Sequence, residues 1–234
     1  MDFVYASELK HSYKVYAHFY FLSITKQKLK KRWLCRSVAD IFEASFAHQG
    51  AYWRENQVPD AVVVMMNPGA ARPIKSKSGD VLRPETLSRR ALFDTTGRRS
   101  RVLVAPDNAQ YQLMRLMQRR AWRHLRIINL SDICEGSSSN FSHVYHQLTE
   151  YDTSHPESIL HPKRRLELQE HLKNVSTIIV AWGRQAVLFQ TAIEFLSLVP
   201  DVKGLARDYP WYRFASPYRK DQKLSWLHDI DCVL

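Results

Sequence analysis

The chain has 234 residues, with 34 Lys+Arg against 23 Asp+Glu, a formal charge of +11 and 45% hydrophobic residues. That length suits one domain, or one domain with an appended arm, and the balance of residue types excludes a wholly disordered chain. The apolar run at residues 16–24 is too short to span a bilayer, and no basic leader with an apolar stretch and a small-residue cleavage site is seen, so a cytoplasmic location is expected. Cys35, Cys134 and Cys232 lie far apart with no CxxC pair, which argues against a disulfide framework or a cysteine zinc site.

The positive charge is clustered. Residues 26–36 hold six bases and no acid, and residues 72–101 hold nine bases against Asp80, Glu85 and Asp94, while the rest of the chain is nearly neutral. Such clustering is what a polyanion-binding face needs, because each Lys or Arg set on a phosphate releases condensed counterions. Solvated loops that aid solubility are the plainer alternative.

In chain order, residues 1–58 mix aromatics with bases and fit either a helical cap or extra strands on the core. Residues 61–66 (AVVVMM), 126–130 (RIINL) and 177–182 (TIIVAW) are apolar without alternation, as expected of strands covered on both faces, and 211–215 (WYRFA) reads as a fourth. Residues 70–106 form a long insert, a length that often carries function. Helices are predicted over 109–122, with Asp107 or Asn108 as N-cap, over 162–173 behind Pro162, and over 184–198. The alternation predicts an α/β layer fold with a mainly parallel sheet.

In open parallel sheets, ligands bind beyond the carboxyl ends of the strands. The residues there are Asn67-Pro68-Gly69, Asn129 to Asp132, Gly183-Arg184 and Ser216 to Arg219. An amide after the first strand can orient a water through its carbonyl or read a base edge, although Asn-Pro-Gly is also an ordinary turn. Asp107 and Asp132 are candidate pocket carboxylates, alternatively a helix cap and a surface ion pair. His143, His146, His155 and His161 have no Cys or Glu at ligand spacing, so zinc is not expected. No Walker or Rossmann glycine loop occurs, and Pro106-Asp107 lacks the Glu-x-Lys that would suggest a nuclease. Trp182 reads as core.

"VVVMMNPGAA" resembles the first motif of the uracil-DNA glycosylase superfamily, especially its mismatch-specific and single-strand-selective branches. "TIIVAWGRQA" is similar to that superfamily's strand ending in Trp-Gly, and "RFASPYRK" sits where its second motif, often His-Pro-Ser-Pro, belongs. The stretch from Pro106 to Ile133 further resembles a little-characterised prokaryotic group of domains of unknown function. Together the matches cover roughly residues 58–220.

The resemblance implies a three-layer α/β sandwich with a central four-stranded, mainly parallel sheet, residues 1–58 being an N-terminal extension packed on a 59–234 domain. It implies a monofunctional DNA glycosylase that hydrolyses the N-glycosidic bond of a flipped base in double- or single-stranded DNA, with no metal, cofactor or obligate protein partner. Asn67 would hold the attacking water. Met66, Pro68, Gly69, Asn129 and Ser131 would contact the base. Arg72, Lys75, Lys77, Ser216, Pro217, Tyr218 and Arg219 would contact DNA. The second motif's histidine is replaced by Phe214, which together with the basic insert points away from uracil and toward a modified, phage-type base and antiviral defence. The alternatives are a non-catalytic nucleic-acid or nucleotide-binding module of the same fold, and a hydrolase of free nucleosides.

Overall fold

The structure, a computed structural model, describes residues 3–47, 57–74, 84–94 and 100–234. Its centre is three parallel strands, β3 (Ala61–Met65), β7 (His124–Asn129) and β8 (Ile178–Val180), with β3 between the other two. Every residue of β3 and β7 is buried, which explains their unbroken apolar pattern. Val63, Met65, Leu125 and Ile127 belong to one hydrophobic cluster, and Val62, Val64 and Ile128 to a second. Successive side chains thus feed cores on opposite faces of the sheet.

The sheet is larger than the four mainly parallel strands expected, because the N-terminal region joins it. β1 (Tyr13–Lys26) and β2 (Leu29–Glu43) form a long hairpin, and β2 pairs antiparallel with β7. β1 also pairs with β5 (Glu85–Ser88) and β6 (Val102–Ala105), and β6 pairs with β4 (Arg72–Pro73). The result is a mixed, open, eight-stranded sheet, and the described parts of the insert are strands on its far side. Between them stands α3 (Arg89–Leu92).

The hairpin is bulged. His18 faces Val38 whereas Phe19 faces Arg36, so Ser37 is the extra residue. The bulge switches the side-chain alternation: Trp33 and Cys35 lie in the second cluster, but Ala39 and Ile41 lie in the first. Arg36, next to the bulge, therefore falls on the same face as Ala39 and Ile41.

That first face is covered by α1 (Ala6–Ser12), α4 (Asn108–Arg120) and α8 (Lys220–Asp231), which bury Leu9, Leu113, Met117 and Trp226. The other face is covered by α5 (Ser138–Tyr151), α6 (Arg165–Leu172) and α7 (Phe189–Leu198), through Phe141, Leu148, Leu168 and Phe195. A short α2 (Ala44–Ala47) follows the hairpin. Single 3₁₀ turns, Pro162–Arg164 and Ala186–Leu188, lead into α6 and α7. Residues 211–215 do not form the expected fourth strand. The outer edge of β8 is taken by Lys203, which bridges Ile179, so Tyr212 makes only isolated bridges to Gly183 and Ala206.

Among the described residues no helix is long and apolar enough to cross a membrane.

Candidate functional site

A cleft of about 410 Å³ opens beyond the carboxyl ends of β3 and β8. The 67–70 turn, the start of α4, the 135–138 loop and the Trp182–Arg184 segment wall it, with Phe214 and Ser216 at its side. Binding beyond the ends of parallel strands is the general rule for such sheets.

Asn67 follows β3 directly and is mostly buried in the cleft wall. Its Nδ2 donates to the carbonyls of Ile133 (3.0 Å) and Glu135 (2.6 Å). Two carbonyl acceptors settle which way the amide points, since only the NH₂ group can donate. The Oδ1 atom accepts no hydrogen bond among the described residues and remains the acceptor of a cleft-lining side chain.

Two residues on, Gly69 has φ +68°, and a Cβ there would come within 3.0 Å of Asp107 Oδ2. Glycine is needed both for the left-handed turn and for the close approach of the carboxylate. Asp107 caps α4: its Oδ1 accepts from Gln110 N (3.0 Å), and Gln110 Oε1 accepts from Asp107 N (3.1 Å). This capping box spends Oδ1 and leaves Oδ2 toward the Gly69 turn. It also fixes the Gln110 amide with Nε2 buried and without an acceptor, on a residue that lines the cleft.

Arg36 lines the same cleft from β2 and is only 2% exposed. Its Nε and Nη1 have no hydrogen-bond acceptor, and no carboxylate of the described residues reaches salt-bridge distance. Burial lowers its pKa, and the fields of Asp107 and Asp132 oppose that. An arginine nonetheless keeps its charge at any ordinary pH. Neighbouring Cys134 is pushed up to about 12 by burial, so it stays a neutral thiol and not a nucleophile.

The aromatic walls are Trp182, 2% exposed with its indole N–H donating to Pro210 O (3.1 Å), and Phe214, 41% exposed. Trp182 is both core, as read from the sequence, and cleft wall.

Of the residues singled out in the sequence, Met66, Asn67, Pro68, Gly69, Asp107 and Ser216 line this cleft. Asn129 and Ser131 do not. Asn129 is fully buried with neither amide atom hydrogen-bonded, and Ser131 is sealed beneath a bridge to Ser158. Asp132 is no surface ion pair either: it is fully buried, bound by Arg164 (2.8 Å) and the Tyr20 hydroxyl (2.7 Å). Arg72 is exposed at the cleft edge and donates to the carbonyls of Gly69 and Ala71. Pro217 is half-buried, Tyr218 is 97% exposed, and Arg219 is paired with Asp221. Lys75 and Lys77 lie outside the described residues.

The first basic cluster stands on the same end of the sheet. β2 runs antiparallel to β7, so its start projects past the strand ends that carry the cleft. From Arg36 to the turn at Gln27-Lys28 is roughly 25 Å at about 3.3 Å per residue. Lys26 and Lys31 are tied to Glu150 and Gln147 of α5, whereas Lys28 and Lys30 are exposed and make no ion pair among the described residues. In the second cluster, Arg89 pairs with Asp152 and Arg101 with buried Asp40.

Sequence reasoning missed Arg36 and Gln110. The signal for Arg36 was a lone base inside an otherwise apolar strand, "WLCRSVADIF". Comparison with family models, with curated proteins and with solved structures gave no match to this chain.

Proposed function

We propose that the chain is a DNA glycosylase that draws a flipped, modified base into the cleft and hydrolyses its N-glycosidic bond. The observation that carries the reading is the locked amide of Asn67, with both N–H groups held by backbone carbonyls and Oδ1 left to accept from a water. An amide fixed in this way positions a nucleophile without reorganising during the reaction.

In the step itself, the water oxygen bonds to the anomeric carbon as the carbon–nitrogen bond breaks, and that electron pair leaves with the base. Asp107, whose Oδ2 is free of the cap, takes the water's proton. Trp182 and Phe214 supply aromatic surface for a planar ring, and the neighbouring apolar wall comes from Met65 and Met66. Extrusion of a base costs a few kcal/mol, which stacking and edge hydrogen bonds offset. The exposed lysines of the hairpin tip stand on the cleft's end of the sheet, where a phosphate backbone would pass. A modified rather than a standard base is favoured by Phe214, a large ring where a hydrogen-bonding histidine would otherwise read uracil.

Incubation with plain, uracil-containing and hypermodified phage DNA, with abasic sites scored, tests the reading. Base release from the hypermodified DNA is expected. Inertness on all three substrates sinks the enzyme assignment and leaves a binding module.

A further inference from the structure

We infer that Arg36 is the recognition point for a negatively charged, planar oxygen acceptor, so that the cleft takes its ligand as an anion. The inference deepens the glycosylase reading and rests on it for the identity of that anion, the departing base.

A lone cation sealed from water is costly, and proteins normally surround it with carboxylates or carbonyls. Arg36 is 2% exposed, lines the cleft, and has neither. Gln110 Nε2 is a second orphan donor on a residue lining the same cleft, its orientation fixed by the capping box at Asp107. The start of α4, a 13-residue helix, brings Asn108 and Ala109 to the cleft and adds the positive end of its dipole. Asp107 is felt by Arg36, but no salt bridge joins the two. Donors left open on Arg36 and Gln110 suit a ring whose keto oxygens carry negative charge. In glycosidic cleavage the electron pair of the broken bond spreads onto those oxygens, and Arg36 would meet it there.

The test is calorimetric titration with three probes: barbiturate, a pyrimidine ring that is anionic near neutral pH; thymine, a neutral ring of similar size; and inorganic phosphate. Barbiturate is expected to bind the native protein at least about tenfold tighter than thymine, as charge-assisted hydrogen bonds imply. That preference disappears in Arg36→Gln and returns in part in Arg36→Lys. Equal affinity for the two rings, a preference that survives Arg36→Gln, or binding of phosphate without barbiturate each overturns the inference. The comparison on the native protein needs no variant, so it holds even where Arg36→Gln fails to fold. An intact anion preference without base release from any DNA overturns the glycosylase reading alone.

Discussion

Two buried arginines on one sheet end are handled in opposite ways. Arg164, fully buried, gives Nη1 to Asp132 (2.8 Å) and to the Glu157 carbonyl (2.8 Å), and its Nε and Nη2 to Glu167 (both 2.9 Å). Arg36, almost as deeply buried, has no acceptor for its guanidinium Nε and Nη1. Asp40 follows the Arg164 pattern: Arg101 (2.6 Å), Arg126 (2.8 Å) and His124 (2.8 Å) surround it, and although burial alone would raise its pKa, these partners hold it far below the carboxylate range. Saturated charges tie elements of the fold together. An unsaturated one beside a cleft is capacity held for a ligand.

The comparison breaks most visibly at Arg164. Arg164→Met strips the cation from Asp132 and Glu167, and removing one partner of a buried pair costs about 3–5 kcal/mol. For a chain of this size that is a fall in melting temperature of about 10 °C, measured by thermal unfolding.

Asn67 combines both kinds of atom, its nitrogen spent on the fold and its oxygen left to the cleft. Asn67→Ala is expected to cut base release by about 100-fold or more, as loss of a preorganised polar group does, while DNA affinity stays close to native. Single-turnover release and DNA titration check the two halves. Full activity in the variant would remove Asn67 from the mechanism.

The saturated site also titrates. Burial pushes the Asp132 carboxyl up to about 6 despite Arg164, from an ordinary value of 3.8. The folded state therefore binds the proton more tightly than the unfolded chain. This contribution is fully present below about pH 4 and lost as pH rises through about 6. Without Arg164 the carboxyl moves further up, so the deficit of Arg164→Met relative to native protein should be larger at pH 8 than at pH 5. Melting curves at the two pH values decide it.

The smallest effect belongs to the hairpin tip. Replacing Lys28 and Lys30 by Glu should weaken binding to all DNA sequences alike and lower the salt slope by about 1 for each lost phosphate contact. An unchanged slope would move the DNA path off the hairpin.

What was legible in the sequence was local. The Asn67-Pro68-Gly69 turn follows an unbroken apolar strand, and Asp107 stands just before a periodic helical stretch as one of two candidate N-caps. What was hidden depended on distant partners. The environment of Arg36 is decided by an extra residue at Ser37 in a hairpin pairing, and the sequence reading could only count it among six bases. Asn129, Ser131 and Asp132 follow a strand as a site would, but the bridge to Ser158 and the guanidinium of Arg164 take Ser131 and Asp132 into the core. The size of the sheet escaped for the same reason, since nothing local in residues 13–43 says that β2 will pair with β7.

The central claim is that Arg36 serves the cleft and not the fold, and thermal unfolding of Arg36→Met beside Arg164→Met tests it most directly. Relief of an unpartnered buried charge predicts that Arg36→Met melts at or above the native temperature while losing barbiturate binding. A fall of about 10 °C, matching that expected of Arg164→Met, would make Arg36 a structural residue and contradict the account.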